Sequence, residues 1–168
     1  MALMHTAWAV LPTPIGELTL TASDTALTGV YFATSRHGPP PRPPTLEGAS
    51  EVLARAREQL EEYFANVRTT FDLPLEAAGS PFERRVWAML RDIPYGTTTS
   101  YGVLARRLGE PNASRAVGAA NGRNPIPIIV PCHRVVGARG DLTGFGGGLE
   151  RKLWLLEHEG SYLALKQS

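Results

Sequence analysis

Apolar and polar positions change rhythm along this chain of 168 residues. Near the start the rhythm suits strands. Leu18-Thr19-Leu20-Thr21 alternates, Leu27 to Phe32 is a β-rich run, and a Ser23-Asp24 turn signal lies between them. The stretch HGPPPRPP, His37 to Pro44, holds too much proline for a helix or a central strand and reads as a loop. From about Glu47 to Asn66 the spacing becomes helical. Leu53, Ala56, Leu60, Tyr63 and Phe64 recur on one side, with Glu51, Arg55, Arg57, Glu58, Glu61 and Glu62 around them. Phe71-Asp72-Leu73 reads as one more strand.

A boundary follows at Ala77-Ala78-Gly79. Ser80-Pro81-Phe82-Glu83 is a helix start in which Ser80 caps, Pro81 takes the first helical position and Glu83 reaches back. Val86, Trp87 and Leu90 form its inward stripe, and Ile93-Pro94-Tyr95-Gly96 ends it. Ser100 to Gly109 reads as a short helix closed by glycine. After the turn Gly109-Glu110-Pro111-Asn112, Ala113 to Asn121 reads as a second helix. Such a pair is the helix-turn-helix pattern, which occurs both in proteins that bind DNA and in proteins that do not. The second helix carries one long cation, Arg115, among Ala113, Ser114, Ala116, Gly118, Ala119 and Ala120. It suits either close helix packing or entry into a narrow groove. Glycines recur from Gly137 to Gly148 without the Lys-Ser/Thr of a phosphate loop. A last helix, Leu149 to about His158, is expected to bury Leu149, Leu153 and Leu156.

Composition narrows the classes. The 43% hydrophobic content supports a packed core, and the formal net charge of +1 excludes a chain that coats nucleic acid by bulk charge. Any DNA contact must then use local geometry. No apolar run is long enough to span a membrane, and the first 18 residues do not resemble a secretory signal. A single cysteine allows no internal disulfide and no multi-cysteine zinc site, and the four histidines lack metal-ligand spacing. A reducing, cytoplasmic setting and no metal or cofactor are the expectations.

That one cysteine sits in Ile128-Ile129-Val130-Pro131-Cys132-His133-Arg134-Val135-Val136. A lone cysteine is commonly a small buried hydrophobe. Here an imidazole and a guanidinium stand beside it, and cationic neighbours favour the reactive thiolate. On an extended strand Cys132 and His133 would face opposite sides, so a turn at Pro131-Cys132-His133 is required for them to cooperate.

The segment Pro131-Cys132-His133-Arg134-Val135 resembles the signature of the O6-alkylguanine-DNA alkyltransferases. Ile93-Pro94-Tyr95-Gly96, Ser100-Tyr101, Ser114-Arg115-Ala116-Val117-Gly118, Asn124-Pro125, Gly147-Gly148-Leu149 with Lys152, and His158-Glu159-Gly160 follow in that family's order. The resemblance covers Ser80 to Gly160; earlier it rests on Thr13-Pro14-Ile15-Gly16-Glu17-Leu18. It implies an α+β protein: a small ribonuclease-H-like α/β domain over 1–76, then a mostly helical winged helix-turn-helix domain over 80–168.

It also implies roles. Cys132 accepts the alkyl group. His133 deprotonates it through a water, and Glu159 orients His133. Tyr101 lies near the base and donates a proton to it. Asn124 holds the turn before the cysteine. Arg115 fills the space of an extruded nucleotide, with Ala113, Ser114, Gly118 and Tyr101 also at the DNA. Val135, Phe145 and Gly146 border the substrate pocket, and the carbonyls of Cys132 and Val135 accept from the guanine amine. Family members that carry serine where Gly146 stands have a smaller pocket, so this chain is expected to tolerate alkyl groups larger than methyl. The implied activity is that of a methylated-DNA–protein-cysteine S-methyltransferase, consumed in one turnover. The implied partner is duplex DNA carrying O6-alkylguanine, with O4-alkylthymine as a further substrate, bound by a monomer with or without cooperativity. Two alternatives stay open: a non-catalytic lesion-binding protein of the same fold, and a cysteine hydrolase built on Cys132, His133 and Glu159.

Overall fold

The computed structural model describes residues 7–33 and 51–161. The proline-rich stretch lies outside the described residues, as does the first turn expected of the long helix. The chain forms two compact units, Met1–Ala78 and Gly79–Ser168.

In the first unit, β1 (Ala7–Leu11), β2 (Leu18–Ala22) and β3 (Leu27–Phe32) make an antiparallel meander in the order β1-β2-β3. Ala9 pairs with Leu20, which pairs in turn with Val30. This register puts Ala7, Ala9, Leu11, Leu18, Leu20 and Ala22 on one buried face. Helix α1 (Glu51–Phe64) contributes Leu53, Ala56, Leu60 and Tyr63 to the core. Gln59 is also buried, and it changes the chain beyond. Its amide accepts from the Asp72 N–H at 2.9 Å and donates to the Asp72 carbonyl at 3.0 Å, while Arg55 donates to the same carbonyl at 2.7 Å. Asp72 therefore spends its backbone on α1 side chains, and Phe71–Leu73 is not a strand. The sheet pairing occurs later, where Leu75 forms a parallel bridge with Leu27.

The second unit is mostly helical. Helix α2 (Pro81–Leu90) starts with the capping box: Ser80 Oγ accepts from the Glu83 N–H at 3.1 Å and Glu83 accepts from the Ser80 N–H at 2.9 Å. Val86, Trp87 and Leu90 are buried. The Trp87 indole N–H donates to the Ala120 carbonyl at 2.8 Å, which ties α2 to α4 (Ser114–Gly122). Helix α3 (Tyr101–Arg107) is capped by Ser100, and Gly109, with φ +77°, turns the chain toward α4. Two short strands matter most for position. β4 (Thr99–Ser100) runs parallel to β5 (Val135–Val136), with Thr99 opposite Val135 and Ser100 opposite Val136. This pairing sets the first residue of α3, Tyr101, beside the segment that follows Cys132.

Helix α5 (Leu149–His158) has the expected span but a different inward face. Lys152, Leu155 and Leu156 are buried, whereas Leu149 is 50% exposed and Leu153 is intermediate. The charged Lys152 and Glu159 belong to that inward face. An apolar template passes over them and selects the neighbouring stripe.

Candidate active site

Cys132 lies on a single 3-10 turn, Cys132–Arg134, so the required bend is present. The turn is prepared upstream. Asn124 donates to the Val130 carbonyl at 2.8 Å and accepts from the Ile126 N–H at 3.0 Å, which closes the loop before Pro131. Ile128, inside that loop, has φ +74° and is 1% exposed. A β-branched residue in the left-handed region stores about 1–3 kcal/mol of strain, which the surrounding packing must hold in place. The Asn124 side chain also favours the ionised form of the Cys132 sulfur, against the effect of burial.

Three buried groups, His133, Arg134 and Glu159, converge beside the turn that carries Cys132. The His133 Nε2 lies 2.7 Å from Glu159 Oε2. Arg134 Nε donates to Glu159 Oε1 at 2.8 Å and an Nη donates to Oε2 at 3.1 Å, a two-point clasp on one carboxylate. The other Arg134 Nη donates to the Ile93 carbonyl at 2.6 Å. Burial alone would raise the Glu159 carboxyl, but hydrogen bonds and charge from His133 and Arg134 override it and hold the carboxyl well below the usual range. An ionised Glu159 only accepts, so Nε2 carries the imidazole proton and Nδ1 presents the lone pair. Burial lowers the His133 pKa, partly opposed by Glu159, so the ring is neutral at pH 7. His133 Nδ1 is buried and without a hydrogen-bond partner among the described residues, as a base awaiting a proton would be.

The thiol departs from the sequence reading. Burial pushes Cys132 up to about 11, against the lowering effects of Asn124 and Lys152. Arg134 does not supply thiolate-stabilising charge, because its guanidinium is spent on Glu159 and Ile93. The resting group is a thiol, and its proton must be removed as it reacts.

Sequence reasoning missed the second cation. Lys152 is fully buried and donates to the carbonyls of Val135 at 2.7 Å, Thr143 at 2.5 Å and Gly144 at 3.5 Å. Burial lowers its pKa to about 8, with Cys132 raising it. Ionisation of the thiol would give this ammonium a counter-charge. The sequence showed Lys152 only as a family match, because backbone carbonyls leave no trace in a residue pattern.

The remaining expected residues fall in two groups. Tyr101 borders the thiol's electrostatic neighbourhood, and its hydroxyl meets Thr143. Val135 is fully buried, Phe145 is half-buried and Gly146 is exposed. A Cβ at Gly146 would lie 3.9 Å from the Gly122 carbonyl, an ordinary contact. On α4, Arg115 is exposed, and Ser114, Gly118 and the preceding Ala113 are intermediate. The Cys132 carbonyl already accepts from the Val135 N–H and from Asn121 Nδ2 at 3.3 Å, so a substrate amine there competes with Asn121. Among the described residues no group of three His, Cys, Asp or Glu side chains is placed to hold a metal, and no helix is long and apolar enough to cross a membrane.

Comparison with known proteins matches both units. A family model described as "6-O-methylguanine DNA methyltransferase, DNA binding domain" covers residues 81–161, and one described as "6-O-methylguanine DNA methyltransferase, ribonuclease-like domain" covers residues 6–77. A methylated-DNA–protein-cysteine methyltransferase of Mycolicibacterium paratuberculosis is 50% identical over 155 residues, spanning 90% of this chain and 91% of that protein. A protein of the same name from Methanosarcina acetivorans is 45% identical over 92% of this chain and 98% of its own length. The crystal structure of Mycobacterium tuberculosis OGT in complex with DNA superposes with a TM-score of 0.84 at 45% identity, covering 95% of this chain and 98% of that one.

Proposed function

Since the chain belongs to the 6-O-methylguanine DNA methyltransferase family, we propose that it repairs DNA by moving the alkyl group of O6-alkylguanine onto Cys132. The carrying observation is the buried His133–Glu159 contact at 2.7 Å on the turn that carries Cys132, with the Nδ1 lone pair left unpartnered. His133 takes the thiol proton through one water. The sulfur then forms a bond to the alkyl carbon as the carbon–O6 bond breaks, and the electron pair leaves with guanine, which takes up a proton from Tyr101. The product thioether has no carbonyl for water to attack, so each molecule reacts once. The target carbon is inaccessible inside a stacked duplex, so the nucleotide must swing out, with Arg115 filling its place. The small residues of α4, Ala113, Ser114 and Gly118, suit close approach to a groove. Charge supports this assignment, since Gly79–Ser168 carries 12 Lys and Arg against 7 Asp and Glu while the whole chain is near neutral. We take 1–76 and 80–168 as the ribonuclease-like and DNA-acting domains. O4-alkylthymine, with the same alkyl–oxygen bond, is a second substrate.

The experiment is mass spectrometry of the Cys132 peptide after incubation with duplex DNA containing O6-methylguanine. One methyl per molecule on Cys132, without turnover, is expected. The Cys132→Ser variant should bind the same duplex and gain nothing. Tight binding with unmodified Cys132 in the parent protein would favour a lesion-binding role instead, and multiple turnovers would favour a hydrolase.

A further inference from the structure

The Tyr101 side chain is placed from two sides. Its ring lies against Gly118 of α4, where a Cβ would sit 3.7 Å from the ring. Its hydroxyl makes a reciprocal pair with one residue of the glycine-rich loop. The phenol O–H donates to the Thr143 carbonyl at 3.3 Å, and the Thr143 hydroxyl donates to the phenol oxygen at 3.0 Å. The same Thr143 carbonyl accepts from the Lys152 ammonium at 2.5 Å. We propose that Thr143 is a positioning residue for the transfer step: it aims the Tyr101 hydroxyl and polarises it for donation to the departing guanine, while Lys152 holds Thr143 in place.

A hydroxyl that accepts a hydrogen bond becomes a better donor through the same oxygen. With the Thr143 hydroxyl on the phenol oxygen, the one phenol proton can turn from the Thr143 carbonyl to a guanine ring nitrogen. That carbonyl is not orphaned by the exchange, because Lys152 still occupies it. The proton thus goes to the base and returns to the phenolate from solvent. Burial raises the Tyr101 pKa and the Thr143 hydrogen bond opposes that rise, the direction a donor to guanine needs. Deleting the threonine hydroxyl costs only this polarisation, whereas deleting the phenol costs the donor itself.

This inference rests on the proposed alkyl transfer, and single-turnover kinetics separate the two. Thr143→Val keeps the shape of the side chain and removes its donor. Under saturating O6-methylguanine duplex it should slow the first-order transfer by about three- to tenfold, the range one lost hydrogen bond supplies. Its affinity for undamaged duplex should stay unchanged. Thr143→Ser should restore the rate, and in a Tyr101→Phe background Thr143→Val should have no further effect. Thr143→Ala serves as the second deletion if valine disturbs the loop. A purely structural role would instead lower affinity, or slow transfer equally with and without the phenol; either result overturns the inference, as does an undiminished rate in both deletions. A parent protein that transfers no methyl would overturn the underlying reading, and this inference with it.

Discussion

Glu159 is held by the neutral imidazole of His133 and by one cation, Arg134, its ionic partner. The site therefore depends on a buried charge pair whose members cannot be removed singly without cost. Glu159→Gln keeps the shape but leaves Arg134 buried with no anion, and breaking such a pair costs about 3–5 kcal/mol. Urea denaturation should show a loss of that order, with transfer slowed as well, since the His133 proton is no longer drawn to Nε2. Arg134→Lys should also be damaging, because an ammonium cannot reproduce the two-point clasp together with the bond to Ile93; a melting temperature equal to the parent's would contradict this. At this scale the sequence was readable wherever chemistry resides in residue type. Cys132, His133 and Glu159 stood out by what they are. Arg134 was visible but misassigned as a thiolate neighbour, and the duties of Lys152 and Thr143 were hidden because their partners include backbone carbonyls.

At the scale of elements, backbone signals were the most legible. Ser80, Pro81 and Glu83 announced the start of α2, and the helix begins there. Ser80→Ala should cost about 1 kcal/mol in thermal or chemical denaturation. Gly96 ends the turn after α2 with φ +79°, and a Cβ there would lie 3.2 Å from the Glu159 carbonyl. Gly96→Ala should therefore destabilise by about 1–3 kcal/mol and move the end of α5 that carries Glu159. A transfer rate that falls together with the melting temperature is the expected pair of observations. The failures were equally physical. Phe71–Leu73 lost its strand because Gln59 and Arg55 captured the Asp72 backbone. The inward stripe of α5 was displaced because its face includes Lys152 and Glu159, which an apolar count excludes.

For the molecule as a whole, pH should act through the buried relay. His133 has a lower pKa folded than unfolded, so the unfolded chain binds more protons once pH falls through about 6.5, and stability declines from there. Glu159 acts in the same direction further down: its contribution is present above about 4.3, the unfolded value, and is lost as pH falls toward the depressed folded value. The urea midpoint should drop steadily from pH 7 toward pH 4. The rate of transfer should have an acid limb set by the lowered His133 value, and so displaced below 6.5; a limb centred above 6.5 would remove His133 as the base. Binding to undamaged duplex should weaken with salt, and Arg115→Ala should weaken lesion binding further, because a flipped nucleotide leaves a gap to fill.

Sequence alone determined the single thiol proposed to react, the helix caps, the helix-turn-helix pattern and the two-part plan of the chain. Each is written in residue type or short-range spacing, since thiols, prolines and capping hydroxyls act through their own chemistry or within one turn. Tertiary structure alone decided the protonation state at rest and the partners of the two buried cations. Those depend on which distant backbone and side-chain groups share one dry volume. β4 must meet β5 to bring Tyr101 beside the cysteine segment, α5 must return Glu159 and Lys152, and the glycine loop must fold so that Thr143 reaches the phenol. Desolvation and convergence are properties of that enclosed space, and no local pattern of residues carries them.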